Sequence, residues 1–428
     1  MATQSSISQE IAAERTGSAP GDAGAGWRSF RRLWASTATS NVADGVLLAA
    51  APLLAATLTR DPLLVSGLTV AQYLPWFLFT LASGAIVDRY DRLRLLILGN
   101  AARAGAVAAL TLALATDLRH LALLYAAVFV MGIAETIVDN AALVVLPRLV
   151  ERQLLERANG RIFATQSVIN TFVGPPLGSA LFAVTATLAF VTGSVMFAVA
   201  AAAGALLPRR LAPDLGDRAP TSSLATDIRK GWGHFWRHRL LRTIALQAAT
   251  INFFGTATGA MLVLLATGPL GLSESQYGLL LAAAAAGGVI GGLAAERVIH
   301  RIGGGPVMML ACLIPAGEYA LLALTSEPLL AGAAMFVGTL AGTLSQVVVS
   351  TLRQAAVPDR LLGRVTSAYR LIVLGAVPLG AAAGGVSASV LGLRAPFWIS
   401  AVGLAVAAIA FAPAVTTRAI ARAQHDED

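Results

Sequence analysis

Five charged residues stand inside long apolar stretches of this sequence: Asp44, Arg103, Glu135, Asp139 and Glu318. A charged group surrounded by apolar material is costly and is usually retained for a function. A carboxyl group removed from water can take up and release a proton near neutral pH, because burial disfavours its charged form. The four acids therefore indicate proton or ion exchange inside an apolar structure.

The composition explains why these charges are isolated. The 428-residue chain is 56% hydrophobic and only 13% charged, whereas about a quarter of the residues of a soluble domain are charged. A helix needs roughly 20 mostly apolar residues to cross a bilayer. The sequence predicts an all-α integral membrane protein with twelve such segments, at residues 33–57, 63–87, 95–116, 121–146, 162–184, 187–207, 241–266, 276–295, 306–325, 328–350, 366–390 and 395–413.

The basic residues predict the orientation of these segments. If segment 1 starts in the cytoplasm, all 31 Lys and Arg residues except Arg60, Arg103, Arg119 and Arg394 fall on the cytoplasmic side. This is the positive-inside pattern, and it predicts a multi-pass protein of the cell membrane with both termini in the cytoplasm. It also accounts for the net charge of +8, so no nucleic-acid partner is expected.

The two halves of the chain repeat each other. The residues GAIVDR at 84–89 return as GLAAER at 292–297, and the spacing Gly160-Arg161…Pro175 recurs at Gly363-Arg364…Pro378. Internal repeats of this kind are typical of secondary transporters. The predicted organisation is a disordered cytoplasmic tail at 1–29, six-helix bundles at 30–207 and 241–413, a cytoplasmic linker with an amphipathic helix at 208–240, and a cytoplasmic tail at 414–428.

Two motifs resemble those of the major facilitator superfamily. Gly84-x-x-x-Asp88-Arg89-x-x-Arg92-x-Arg94 resembles its motif A, with Asp91 in place of a usual glycine. Gly174-Pro175-Pro176-Leu177-Gly178 is similar to motif C of the superfamily's antiporters. The run from Leu74 to Arg92 resembles the branch that contains enterobactin-exporter-type and macrolide-efflux-type proteins.

The resemblance implies a fold of two pseudo-symmetric six-helix bundles, with segments 1, 4, 7 and 10 around a central cavity. It also implies a cytoplasmic latch, by which we mean contacts that hold the two halves together and favour the outward-open state. The expected latch and its network consist of Gly84, Asp88, Arg89, Arg92, Arg103, Asp139, Glu296 and Arg297. Within it, Asp139 is expected to pair with Arg103 or Arg92. The motif C residues Gly174, Pro175 and Gly178 are expected to pack against segment 8, at Gly287–Gly292.

Depth selects the candidates for proton exchange. At about 1.5 Å per residue, Asp44 and Glu135 lie near the middle of the membrane, about 16 Å from its inner side. The alternative to proton exchange is that these charges are permanently paired and take no part in transport. Polar residues in the segments serve either as substrate contacts or as interhelical hydrogen bonds; the candidates for the cavity wall are Asn41, Gln72, Tyr73, Gln166, Asn170, Asn252 and Gln346.

Several functional classes are disfavoured by the sequence. The single lysine, Lys230, is not part of the Gly-Lys-Ser/Thr sequence of a phosphate-binding loop, and all five histidines fall outside the predicted segments. We therefore expect a non-enzymatic, monomeric transporter without cofactor or metal. Its partners would be the lipid bilayer, protons and a small amphipathic substrate (a drug, toxic metabolite or siderophore) that it exports by proton antiport. A lipid flippase on the same fold, an importer or symporter, sodium coupling, and a receptor or scaffold remain alternatives.

Overall fold

The computed structural model describes residues 20–150, 154–208, 235–236, 238–355, 357 and 359–414. Within these ranges the chain is helical and forms no strand. We number the helices by membrane segment: α1 Pro20–Leu58, α2 Pro62–Arg89, α3 Arg92–Ala115, α4 Leu121–Leu149, α5a Leu155–Ser167, α5b Gly174–Val184, α6 Ala186–Ala205, α7a Arg239–Gly259, α7b Leu262–Thr267, α8 Glu274–Ile302, α9 Gly304–Leu324, α10 Pro328–Ala355, α11 Asp359–Leu391 and α12 Ala395–Phe411.

Each of the twelve predicted segments corresponds to one helix or one helix pair, so the predicted fold class is confirmed. Eleven helical spans are long and apolar enough to cross a membrane, and α12 is a shorter apolar helix. The helix α1 begins at Pro20, so residues 20–29 are helical and not part of the expected disordered tail. Residues 1–19, most of the linker and residues 415–428 lie outside the described residues.

The helix of the fifth segment is interrupted by a wide turn. Residues Val168–Val173 form a π-helix, in which the Gly174 amide donates to the Ile169 carbonyl oxygen. Pro175 and Pro176 follow directly. Proline has no amide hydrogen and so removes α-helical hydrogen bonds, and π turns are a common local solution. The motif C prolines thereby widen the helix beside α1.

Glycines allow the helices of each half to cross in the same way. A Cβ atom at Gly178 of α5b would overlap the Val46 carbonyl oxygen of α1, and a Cβ atom at Gly380 of α11 would overlap the Phe253 carbonyl oxygen of α7a. The two crossings are equivalent positions in the two halves, since α7a and α11 repeat α1 and α5. Small residues permit such close backbone approach in membranes.

The glycines of α8 pack differently from the expectation. Cβ atoms at Gly287 and Gly291 would overlap backbone atoms of Phe336 and Leu340 in α10, so these glycines serve a contact within the second half. The contact between α8 and α5b is made instead near Gly278, whose Cα faces Ser179. The expectation that Gly287–Gly292 pack against motif C was therefore wrong. The same small-residue spacing fits any close partner, and the sequence does not identify which.

The two halves share one hydrophobic core at one side of the membrane and are separate at the other. We call the side on which α1 begins and α12 ends the terminal side. Away from it, a single apolar cluster joins the halves, with Leu54 of α1 and Leu265 of α7b both buried in it. Near the terminal side each half has its own cluster, around Phe30 in the first and around Leu241 in the second. The helices are therefore splayed toward the terminal side.

Alanine at the helix crossings should destabilise the protein. Gly178→Ala and Gly380→Ala force two backbones apart, and overpacking of this kind costs about 1–3 kcal/mol. We expect both variants to lower the midpoint of thermal unfolding in detergent. Gly317→Ala is the control, because no atom lies within 4 Å of its Cβ position. Its midpoint should stay level or rise, since alanine favours helix; equal midpoints for all three variants would contradict the close crossings.

Candidate functional site

A large cavity of about 690 Å³ lies between the two halves, in the part of the membrane nearer the terminal side. Its first-half wall includes Asp139 of α4 and Gln166 of α5a. Its second-half wall includes Asn252 of α7a and Gln346 of α10. The volume is within the range of about 300–1,000 Å³ that is common for small-molecule sites.

A second, smaller cavity of about 170 Å³ lies within the first half. Its wall contains Asp44, Gln72, Tyr73, Glu135 and Asn170. A narrow gap of about 20 Å³ shares walls with both cavities and is lined by residues that include Asn41, Asp44, Glu135, Asp139 and Gln166. All seven polar residues predicted from the sequence for the cavity wall thus line one of the three spaces, and three acids lie along them.

The buried arginine of α3 pairs with the acid of α1. The Arg103 Nη2 atom donates to Asp44 Oδ1, and the Arg103 side chain is only 1% exposed. The expectation that Arg103 pairs with Asp139 was therefore wrong. Depth along the helices gave the two residues similar heights, but it carries no information on the direction that the Arg103 side chain takes. Although α4 packs against α3, the guanidinium reaches Asp44 of α1.

Further contacts fix the Arg103 guanidinium in place. Its Nη1 atom donates to Ser40 Oγ at 2.8 Å, and Ser40 donates to the Asn100 side-chain oxygen at 3.2 Å. The guanidinium carbon lies 4.1 Å from the centre of the Phe197 ring. The cation is thus held by residues of α1, α3 and α6. An arginine in a low-dielectric interior requires such a counter-charge and hydrogen bonds.

Two more carboxylates lie close enough to interact with this pair. Asp44 interacts electrostatically with Glu135 and Asp139 as well as with Arg103. Asp139 in turn interacts with Glu135, with Arg103 and with Arg370 of α11. The first half therefore places three acids around one buried arginine, and a basic residue of the second half faces them across the large cavity.

Asn41 and Asn170 bind each other across the cavity wall. The Asn170 Nδ2 atom donates to Asn41 Oδ1 at 2.8 Å, and Asn41 Nδ2 donates to the Thr37 carbonyl oxygen at 2.7 Å. Asn170 belongs to the π-helical turn, so this hydrogen bond ties the widened part of the fifth segment to α1.

The turn of motif A explains Asp91. This residue caps α3, and its Oδ1 atom accepts from the Leu93 amide at 2.9 Å and from the Arg94 amide at 3.4 Å. Aspartate is a favoured N-cap because it satisfies free amides and complements the helix dipole. Asp91, which stands where motif A usually has glycine, therefore serves as the N-cap of α3.

The other members of the expected latch are only partly described. Arg92 begins α3 and is half-buried, whereas Arg89 of α2 and Glu296 and Arg297 of α8 are exposed. Gly84 and Asp88 are helical in α2, but the surroundings of Gly84 and the side chain of Asp88 lie outside the described part. Glu318 of α9 lines none of the three cavities described above; its carboxylate packs against Gly338 of α10.

Sequence reasoning missed two arginines in the cavity wall. Arg353 of α10 and Arg370 of α11 both line the large cavity, although the positive-inside count assigned them to a cytoplasmic loop. Both lie within about one turn of a predicted segment end. Arg353 lies just past predicted segment 10, in a helix that extends beyond its apolar part, whereas Arg370 lies inside predicted segment 11. An arginine that close to a segment end was the available signal.

Two six-helix halves around a polar cavity between them define a membrane transporter. The family model described as Major Facilitator Superfamily matches residues 33–376 and 248–426, and the chain belongs to this family of transporters. The predicted family and the non-enzymatic character are thereby confirmed.

Relatives in sequence are also transporters. An uncharacterized MFS-type transporter of Mycobacterium tuberculosis is 27% identical over 345 residues, which cover 76% of this chain and 74% of the relative. Macrolide efflux protein A of Streptococcus pyogenes is 27% identical over 193 residues, which cover 45% of this chain and 47% of that protein.

Solved structures show the same fold at low identity. A bacterial homologue of the human lysosomal transporter Spinster, in an inward-facing and unoccupied conformation, has a TM-score of 0.72 and 16% identity over 95% of this chain and 99% of its own. A bacterial homologue of the iron transporter ferroportin, in an inward-facing state, has a TM-score of 0.73 and 15% identity over 91% and 99% of the two chains.

Removal of the carboxylate partner of Arg103 should destabilise the first half. Asp44→Asn removes the one carboxylate that is hydrogen-bonded to the buried cation, and breaking a buried pair typically costs about 3–5 kcal/mol. We expect a clear fall in the midpoint of thermal unfolding, partly restored when Arg103→Met is added, because the uncompensated charge is then gone.

The exposed ion pair of Asp117 and Arg119 supplies the control: Asp117→Asn should leave the midpoint unchanged. A wild-type midpoint for Asp44→Asn would show that the pair does not hold the bundle together.

Proposed function

We propose that the protein exports a small amphipathic compound from the cytoplasm in exchange for protons. The observation that carries this proposal is the grouping of Asp44, Glu135 and Asp139 around one buried arginine, Arg103. Three carboxylates and one guanidinium cannot all be charged and matched in a low-dielectric interior. The surplus acid is the proton carrier.

Our proposal gives the three acids different parts. Asp44 makes the ion pair with Arg103, and Asp139 faces Arg370 across the large cavity. Glu135 lines the same narrow gap as these two acids. It forms no ion pair with another described residue. Glu135 is therefore the primary proton-exchanging residue, and Asp44 exchanges a proton when its bond to Arg103 opens.

The small cavity offers a partner for a protonated acid. The side-chain oxygen of Asn170 is buried and has no hydrogen-bond partner within the part of the chain that the structure describes. Asn170 and Glu135 line the same cavity. A protonated carboxyl group is a hydrogen-bond donor, whereas a carboxylate can only accept. Among the described residues, the Asn170 oxygen is therefore a free acceptor in the cavity that Glu135 also lines.

The direction of access follows from the charge asymmetry of the loops. The positive-inside pattern makes the terminal side cytoplasmic, so the large cavity faces the cytoplasm and the shared core closes the outer side. This arrangement is the inward-facing state of an alternating-access cycle, in which the halves rock about a central site. The motif A latch of Gly84, Asp88, Arg89 and Arg92, with Glu296 and Arg297, would close this side in the outward-facing state.

Export is supported by the resemblance of the fifth segment to motif C and by the similarity to Macrolide efflux protein A. Trp76 and Phe163 contribute aromatic surface to the large cavity beside its amide side chains. Such a wall suits a compound with an apolar body and a few polar groups.

Proton coupling is tested in inverted membrane vesicles. We expect the protein to drive accumulation of at least one member of a panel consisting of a macrolide, an aromatic dye and a catecholate siderophore. Accumulation should be lost when nigericin collapses the pH gradient, because the proton gradient supplies the driving force. Vesicles without the protein are the control. Protein-dependent accumulation that nigericin leaves unchanged would reject proton antiport.

The role of Glu135 is tested by its amide variant. Glu135→Gln keeps the shape and polarity of the side chain but removes proton exchange, so gradient-driven accumulation should fall at least tenfold, about the effect of losing 1.4 kcal/mol. Substrate exchange between the two sides without a gradient should persist. Glu318→Gln is the matched control, because Glu318 is an acid in a membrane helix that lines none of the three cavities. Full gradient-driven transport by Glu135→Gln would remove Glu135 from the mechanism.

A further inference from the structure

The second-half wall of the large cavity carries more positive charge than the opposite wall carries negative charge. The charged side chains that line the cavity within the described residues are Arg353, Arg370 and Asp139. The two arginines belong to α10 and α11, and the single acid belongs to α4 in the other half. The cavity therefore has a surplus positive charge beside its amide and aromatic groups.

Arg353 is held in one orientation but is not fully satisfied. Its guanidinium carbon lies 4.5 Å from the centre of the Tyr369 ring, so the cation stacks on an aromatic residue that lines the same cavity. Its Nε atom is buried and finds no hydrogen-bond acceptor within the described chain. A buried donor without an acceptor costs free energy, so the described protein groups leave Arg353 partly unsatisfied.

Within the described residues, the charge of Arg370 has only distant compensation. Its side chain is exposed, and its carboxylate neighbour is Asp139, with which it interacts across the cavity. The pair does not meet as a salt bridge among the described residues. Arg370 can therefore bind an anion in the cavity without first breaking a hydrogen-bonded ion pair.

We infer that the large cavity binds an amphipathic substrate through an anionic group, such as a carboxylate, phosphate or sulfonate, held between Arg353 and Arg370. The guanidinium fork matches the oxygen geometry of these groups. The apolar part of the substrate packs against Tyr369, Trp76 and Phe163. This inference rests on the proposed function only in taking the large cavity as the substrate site; it does not require proton coupling.

The inference is tested by binding two matched aromatic probes to the purified full-length protein in phosphatidylcholine nanodiscs. The anionic probe is 1-anilinonaphthalene-8-sulfonate, and the neutral probe is N-phenyl-1-naphthylamine, which has the same aromatic skeleton without the sulfonate. Equilibrium dialysis without any ion gradient measures both, with empty nanodiscs as the background. Arg353→Gln and Arg370→Gln should each weaken sulfonate binding about tenfold, since a charge-assisted bond is lost, and should change neutral binding by less than about twofold.

Several outcomes would overturn the inference. The inference is rejected if the double variant Arg353→Gln/Arg370→Gln binds the sulfonate probe as tightly as the wild type. It is also rejected if the variants lose affinity for the sulfonate probe and the neutral probe to the same extent. Binding of the cation ethidium that depends on Asp139 and not on the arginines would assign the cavity to cations and also reject it. Nanodiscs that contain phosphatidylglycerol identify the source of the anion. If this lipid lowers sulfonate binding by the wild type but not by the arginine variants, a lipid headgroup occupies the arginine site.

Folding of the arginine variants is checked by size-exclusion chromatography and thermal unfolding. Each variant should elute as a single peak with the wild-type unfolding midpoint. Arg370→Gln tests the inference even if Arg353→Gln fails to fold, because Arg370 is exposed and its loss leaves the Tyr369 stack intact. Arginine-dependent sulfonate binding without nigericin-sensitive transport would reject proton antiport alone. Nigericin-sensitive transport of a cation without arginine-dependent sulfonate binding would reject the anion site alone.

Discussion

The buried cation at Arg103 is the constraint on which the rest of the first half depends. A guanidinium that is 1% exposed in a membrane bundle must be matched by charge and by hydrogen bonds, because neither water nor lipid can serve it. Asp44, Ser40 and the Phe197 ring supply most of this match, and the Arg103 Nε atom has no hydrogen-bond partner among the described residues. Their positions fix α1, α3 and α6 relative to one another, and they leave Glu135 and Asp139 as the acids without a dedicated cation.

A second constraint acts on the relation between the two halves. Away from the terminal side they bury apolar side chains in one common cluster, and near the terminal side each half keeps its own. The large cavity is the space left where the cores separate. It follows that polar residues from both halves can face one ligand, and that closing the cavity would require a different set of contacts at the same interface.

Charge is distributed unequally between the two walls of this cavity. The first half brings Asp139, and the second half brings Arg353 and Arg370. A proton at the proposed carrier Glu135 and an anion at Arg370 would each change the field at Asp139, because Asp139 interacts with both residues. The proposed proton carriers and the proposed anion site are thus adjacent parts of one electrostatic arrangement.

The sequence by itself determined the fold class, the number of segments and the internal repeat. These depend on features that each segment carries alone, namely about 20 apolar residues per span and a motif that recurs in the second half. Seven polar residues that it named as candidates lie along the three cavities, because polarity within an apolar helix marks a cavity or a helix contact. Only the tertiary structure decided which charges meet. Arg103 pairs with Asp44 and not with Asp139, Gly287 and Gly291 contact α10 and not motif C, and two arginines assigned to a loop line the cavity. These outcomes depend on the direction that a side chain takes in the packed bundle, on which helices are neighbours and on how far a helix extends. Periodicity within a single helix contains none of these quantities.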